Sequence, residues 1–239
     1  MQVFFANIFT DQNTILLSAE ESKHCIRVLR HKTGDTIHII DGKGNLYEAE
    51  IKEANPQKCS AKIISKKSLA SSKNYHLHIA ISPTKNADRI EWMLEKCTEL
   101  GVDEFSFIIC KRTEKAGVKM DRLTKITESA VKQSIQTVLP IINEVQPFKE
   151  FITKHSSTSS LTKSTSSKYI AHCVEGEKTE LKNILQNTSS LILIGPEGDF
   201  TEDEIKLALQ NNFQPLSLGN NRLRTETAGL LVAAAYKIR

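Results

Sequence analysis

Cysteine is scarce in this 239-residue chain: Cys25, Cys59, Cys97, Cys110 and Cys173 stand far apart, and no C-x-x-C pair occurs. An odd number of scattered cysteines argues against a disulfide framework and against a zinc site, and it suits a reducing cytoplasm. Long apolar runs are missing as well. No stretch approaches the roughly 18 residues that would cross a bilayer, so neither a membrane nor a metal is expected as a partner. Residues 1–10 lack the basic stretch and apolar core of a signal peptide. Two nucleotide-binding signatures are absent. No Gly-Lys-Ser/Thr follows a glycine-rich loop, which excludes a P-loop, and no G-x-G-x-x-G occurs, which excludes the dinucleotide fingerprint. There is no internal repeat.

What is present is ordinary for a globular protein, with 39% hydrophobic and 25% charged residues. The chain is long enough to bury a core without covalent staples. Its net charge is +4, and residues 1–75 hold 11 Lys and Arg against 8 Asp and Glu, so most of the excess lies at the front. This permits a polyanionic partner without requiring one.

Residues 1–70 show short strands and turns, the pattern of a small β domain. Strands are expected over 2–6, 36–40, 46–53 and 59–65, and Asp41-Gly-Lys-Gly44 makes the tight turn of a hairpin. Ser18 and Glu21 have capping-box spacing before a short helix that runs to Leu29. Residues 66–74 are polar, as a linker would be. From residue 75 to 239 the rhythm changes. Apolar runs at 76–82, 105–110, 169–174 and 191–194 alternate with helical segments. Ile90, Met93, Leu94 and Cys97 mark one helix face. That alternation predicts an α/β domain, a parallel sheet with helices on both faces. Residues 152–168 are dominated by Ser, Thr and Lys and are expected to form a surface insertion.

Two segments stand out. The first is Gly195-Pro196-Glu197-Gly198-Asp-Phe200, which follows an apolar strand and precedes a helix with acidic residues in its first turn. Its glycines let backbone approach a ligand closely, although a plain βα turn has the same look. The second is Leu218-Gly219-Asn-Asn-Arg222-Leu223-Arg224-Thr225-Glu226-Thr227-Ala228, dense in hydrogen-bonding groups at a strand-to-helix connection. Such groups at the carboxyl edge of a parallel sheet lie where open α/β folds bind ligands. An ordinary connection capped by Thr225 would also fit.

Taken together, GPEGDF followed by LGNNRLRTETA closely resembles the C-terminal motifs of the SPOUT methyltransferases, and within them the family that methylates N3 of a uridine in 16S rRNA (RsmE). The resemblance extends upstream. Lys23-His24 with Arg27-Val-Leu-Arg30 and the Gly34-Asp35 turn look like that family's PUA-like β-barrel domain. Lys85, and Lys96 with Thr98-Glu-Leu-Gly-Val102, look like the start of its catalytic domain. Ala130 with Gln133-Ser134 and Pro140 looks like its central helix and exit. Two positions depart from the pattern. An early Arg is replaced by Gln2 and Val3, and a Gly-Arg pair after the central helix is replaced by Ile135-Gln136.

The resemblance implies a trefoil-knotted sheet that binds S-adenosyl-L-methionine and a homodimer that modifies the small ribosomal subunit. The cofactor would be held by His172, by Ile194, Gly195, Pro196, Glu197 and Gly198, and by Leu218, Gly219, Leu223, Arg224, Thr225, Thr227 and Ala228. Leu218, Leu223 and Ala228 would wall the adenine. Arg224 is the expected catalytic residue, stabilising charge on the uracil, with Glu226 accepting the N3 proton or orienting Arg224. RNA would meet Lys23, His24, Arg27 and Arg30, and a second patch of Lys111, Arg112, Lys115, Lys119, Arg122 and Lys125, opposed locally only by Glu114 and Asp121, with Lys85 as a further contact. Two other outcomes stay open: a SPOUT enzyme with another rRNA or tRNA target, and an RNA-binding protein without catalysis.

Overall fold

The computed structural model describes residues 1–6, 8–11, 13–69, 73–115, 117–156, 167–186 and 189–239. The chain divides into two compact units, Met1–Lys73 with Glu128–Leu139, and Asn74–Thr127 with Pro140–Arg239. A single division at residues 70–75 therefore leaves out a return. Residues 128–139, taken from sequence as part of the second domain, pack with the first.

In the first unit the strands β1 (Val3–Phe5), β2 (Ile8–Phe9), β3 (Thr14–Leu16), β4 (Thr36–Ile40), β5 (Asn45–Glu53) and β6 (Ser60–Ser68) form one sheet, ordered β1-β4-β5-β6-β3-β2. Ile15, Ile37, Ile39, Ala49, Ile51 and Ala61 alternate inward to make the core. The β4–β5 turn is held by Asp41. Its carboxylate accepts from the Lys43 and Asn45 amides and from the Asn45 and Tyr47 side chains. Burial alone would raise that carboxyl; the hydrogen bonds outweigh it and hold it below the usual range. Helix α1 (Ala19–Lys23) starts where the Ser18 hydroxyl accepts from the Glu21 amide, and it runs on into a π-helical turn, His24–Val28. The returning segment supplies Val131 and Leu139, which pack with Val3, Ile40, Phe5 and Leu46.

The second unit is an all-parallel sheet ordered β10-β8-β7-β13-β11-β14-β12, with β9 beside β8. Its strands are β7 (His76–Ile81), β8 (Glu104–Ile109), β9 (Ile141–Ile142), β10 (Gln146–Pro147), β11 (Ser167–Ala171), β12 (Thr179–Glu180), β13 (Ser189–Ile194) and β14 (Gln214–Ser217). Every residue of β13 is buried, as a central parallel strand covered on both faces requires. On one face α2 (Ala87–Glu99), α5 (Leu181–Ile184) and α7 (Thr225–Lys237) pack on Leu77, Ile79, Ile81 and Ile192. The predicted stripe of Ile90, Met93, Leu94 and Cys97 is the buried face of α2. On the other face α4 (Phe148–Lys154) and α6 (Glu202–Gln210) cover Ala80, Ile170, Leu191 and Leu193. Helix α3 (Met120–Gln133) connects the units in sequence.

The Ser/Thr-rich insertion is shorter than its composition suggests. Ile152 is fully buried in α4 and Ser167 already pairs in β11, while residues 157–166 lie outside the described residues. An apolar residue at the head of a polar run belongs to the core before it. No helix among the described residues is long and apolar enough to cross a membrane, and none of their His, Cys, Asp and Glu gather as a metal site.

Candidate active site

Three loops leave the carboxyl ends of β11, β13 and β14, the edge where open parallel sheets bind ligands. They enclose a cleft of about 870 Å³. Of the residues expected to hold a cofactor, His172, Ile194, Gly195, Pro196, Glu197, Leu218, Gly219, Leu223, Arg224, Thr225 and Ala228 line it. Two do not. Gly198 packs beside the Arg112 stem, and Thr227 is exposed on α7. The cleft also takes in Asp199 and Arg222, from inside the two motifs, and Cys173, Glu175, Lys178 and Glu180, which no motif marks.

Hydrogen bonds stitch the loops together. Asp199, at a φ of 63°, receives the Cys173 amide at 2.7 Å and ties the second loop to the first. The Thr225 hydroxyl donates to the Gly195 carbonyl at 3.0 Å, and Arg222 donates to the Glu197 carbonyl at 3.3 Å, which ties the third loop to the second. Lys178 donates to the His172 carbonyl at 2.8 Å. The second loop ends at α6, whose start is a full capping box between Thr201 and Glu204. Gly195 allows Phe200 to fold back: a Cβ there would sit 3.1 Å from the phenyl ring.

The cleft pairs apolar walls with unmatched polar atoms. Leu216, Leu218, Leu223 and Ala228 line it, and so do His172, with both ring nitrogens buried and unpaired, and Glu197, with one carboxylate oxygen in the same condition. Burial first, then the Lys178 ammonium, pushes His172 below its usual range, so its ring stays neutral. Burial and the Asp199 carboxylate push the Cys173 thiol up, which favours the thiol over the thiolate.

Arg224 is the N-cap residue of α7, exposed at the cleft. Glu226 does not line the cleft. It is buried 3.8 Å from Arg89 of α2, with its second oxygen unpaired.

The two basic patches differ. Lys23, Arg27 and Arg30 are exposed, and His24 is half-buried against Gln2, which it meets at 3.1 Å. The second patch, Lys85 included, is less basic than its count of Lys and Arg suggests, because carboxylates answer it, one of them, Glu91, from outside the local sequence. Lys85 pairs with Glu114 at 2.9 Å and Arg122 with Glu91 at 2.5 Å. Arg112 donates to the Gly198 carbonyl at 2.8 Å, and the Lys111 amide is taken by Glu204. Lys111, Lys115, Lys119 and Lys125 remain exposed.

These features have counterparts among known proteins. The family model of an RNA methyltransferase domain matches residues 71–237, and that of an RNA methyltransferase PUA domain matches residues 17–64. The chain is 27% identical to the ribosomal RNA small subunit methyltransferase E of Bacillus subtilis, covering 98% of this chain and 95% of that one. A solved probable rRNA-methyltransferase from Porphyromonas gingivalis is 36% identical, with a TM-score of 0.86 over 98% of this chain and 96% of that one. The ribosomal RNA small subunit methyltransferase E of Neisseria gonorrhoeae, solved bound to S-adenosyl methionine, is 26% identical, with a TM-score of 0.84 over 100% of this chain and 97% of that one. With a matched catalytic domain of SPOUT fold behind a PUA-like sheet, the chain belongs to the RNA methyltransferase family of the ribosomal RNA small subunit methyltransferases E, the RsmE family.

Proposed function

We propose that the chain transfers a methyl group from S-adenosyl-L-methionine to N3 of one uridine of 16S rRNA in the cytoplasm, at the site numbered 1498 in the usual scheme. The three-loop cleft carries this reading. It joins an apolar wall for a nucleoside to backbone groups and to the buried, unpaired atoms of His172 and Glu197, which a polar ligand would complete. When bound, the cofactor supplies a methyl group on a sulfonium, ready for in-line transfer.

The chain's own residues supply the rest. Leu218, Leu223 and Ala228 exclude water from the nucleoside side of the cleft. The N3 proton leaves to water at the mouth of the cleft, and the negative charge then spreads over the uracil oxygens. Arg224, a planar guanidinium at the cleft, is the group we assign to stabilise that charge. Glu226, buried beside Arg89, is assigned to position the start of α7. Lys23, His24, Arg27 and Arg30 hold the RNA backbone, joined by the exposed lysines of the second patch. The C-terminal segment from β14 to α7 makes the knot, and the working unit is a homodimer. A one-chain mass in light scattering at micromolar concentration would remove the dimer.

The decisive experiment supplies labelled S-adenosylmethionine and small ribosomal subunits from a strain lacking the corresponding gene, and identifies the product nucleoside by mass spectrometry. N3-methyluridine at a single position is the expected product. Label on another nucleoside would overturn the target, and no label at all would overturn the activity.

A further inference from the structure

A second recess, of about 480 Å³, lies within the first unit, between the start of the chain, α1 and the last turn of α3. Gln2, Glu21, His24, Ser129, Lys132 and Gln133 give it a polar lining, to which Met1 and Val3 add apolar groups. Its key group is Glu21. The residue is only 9% exposed; one carboxylate oxygen takes the Lys132 ammonium, and the other is buried without a hydrogen-bond partner. Such an oxygen calls for a donor, because a buried carboxylate without one is costly. The same carboxylate repels a phosphate, and the Lys132 charge is already balanced. The recess therefore suits a neutral ligand rich in donors.

We propose that this recess reads a guanine extruded from the bound RNA, a proposal that rests on the rRNA methyltransferase reading. The Watson–Crick edge of guanine sets two donors, the N1–H and the N2 amino group, beside one acceptor, O6. Glu21 accepts from the donors and Lys132 donates to O6, an ammonium–O6 contact of the kind that specifies guanine. Adenine and cytosine offer an amino group beside a bare ring nitrogen, which faces the carboxylate badly. Uracil flanks its one N–H with two oxygens, which the carboxylate repels. Lys23 and Arg27, exposed on the helical segment that carries Glu21, supply phosphate contacts around the extruded nucleotide.

The test uses the full chain and fluorescent pentanucleotides, UUGUU, UUAUU, UUCUU and UUUUU, with affinity read by anisotropy at low salt. The guanine oligomer binds about tenfold tighter than the other three. Inosine, which lacks the N2 amino group, loses most of that preference, whereas 7-deazaguanine, which changes only the opposite edge, keeps it. Glu21→Gln abolishes the preference, with a circular dichroism spectrum to check its fold; should that variant unfold, the inosine series on the native chain still decides. Equal binding of all four oligomers, preference for another base, or loss of preference with 7-deazaguanine overturns the proposal. Methyl transfer by the native chain is measured alongside: transfer without a base preference removes the recess alone, and a base preference without transfer removes the activity alone.

Discussion

The Thr225 hydroxyl donates to the carbonyl oxygen of Gly195, 30 positions earlier, and both groups are buried. This bond closes the cleft on itself, because it joins the loop after β13 to the first turn of α7. Replacing Thr225 with Val keeps the shape but strands the carbonyl, at a cost of about 1–3 kcal/mol. Cofactor affinity, measured by calorimetry, should fall with it, and Thr225→Ser should restore both. An unchanged affinity in the valine variant would show that the bond does not shape the cleft.

Two glycines of the cleft should fail for different reasons. At Gly195 an added Cβ would meet the buried Phe200 ring at 3.1 Å, so Gly195→Ala overpacks the loop and costs about 1–3 kcal/mol. At Gly219 nothing lies within 4 Å, but φ is +111°, a conformation that other residues rarely hold. Gly219→Ala should cost about 1 kcal/mol by backbone strain alone. Only the first should be relieved by Phe200→Leu in the same chain, and thermal melts of the double variants would tell the two apart.

Arg224→Ala should abolish methyl transfer while cofactor binding changes little, since the guanidinium is exposed at the cleft rather than buried in a loop contact. A loss of about 10²-fold or more is expected for one electrostatic stabiliser. Lysine at this position should rescue only weakly, as it lacks the planar fork. Wild-type turnover by Arg224→Ala on small subunits would remove the residue from the mechanism.

Two residues beyond the end of α3 stands Ile135, where the pattern the sequence resembles often has Gly. The Gln136 amide returns to the Val131 carbonyl and the Ile135 amide to the Lys132 carbonyl, a Schellman ending that forces Ile135 to a φ of 55°. A β-branched residue pays for that angle in backbone strain, and Ile135 is 45% exposed, so packing returns little. Ile135→Gly should therefore stabilise the chain by about 1 kcal/mol. A lower midpoint in urea would contradict this.

His78 makes stability fall in mild acid. Its ring is buried, shares one hydrogen bond with Ser106 at 2.8 Å, and leaves Nδ1 unpaired. Burial first, then the neighbouring His155, His76 and Lys154, holds it well below its usual value, although Glu104 stands 3.7 Å away. The unfolded chain thus takes up this proton first. Stability is complete above about pH 6.5 and declines as pH falls below it, by up to about 1.4 kcal/mol per pH unit for each such histidine. His155 and His172, also depressed, add to the slope. Asp41 acts in a separate window: its lowered carboxyl contributes above the usual Asp value and is lost only in stronger acid. Urea unfolding at pH 7.5, 6.5 and 5.5 should show the slope, and His78→Asn should flatten it; a flat native profile would refute the assignment.

Much of the second unit was legible before any coordinates. The stripe of Ile90, Met93, Leu94 and Cys97 is the buried face of α2, and the apolar runs at 76–82 and 191–194 are its central strands. Eleven of the thirteen residues expected at the cofactor line one cleft, because short βα loops keep sequence neighbours together in space. The strand expected to end at Leu218-Gly219 is β14, whereas β12 went unmarked, since its 2 residues carry too few side chains to show alternation.

Sequence alone determined the parallel α/β class, the α2 face, the Asp41 turn and the two motifs of the cleft, since each depends on residues a few positions apart. Tertiary structure decided the pairings across long gaps. It placed Arg122 beside Glu91 and Arg112 against the Gly198 carbonyl, gave Glu226 to Arg89, and brought Cys173 and Lys178 into the cleft. It also returned residues 128–139 to the first unit, where Lys132 meets Glu21. Those contacts follow from how the elements pack and from the charge each side chain meets there, and a local pattern carries neither.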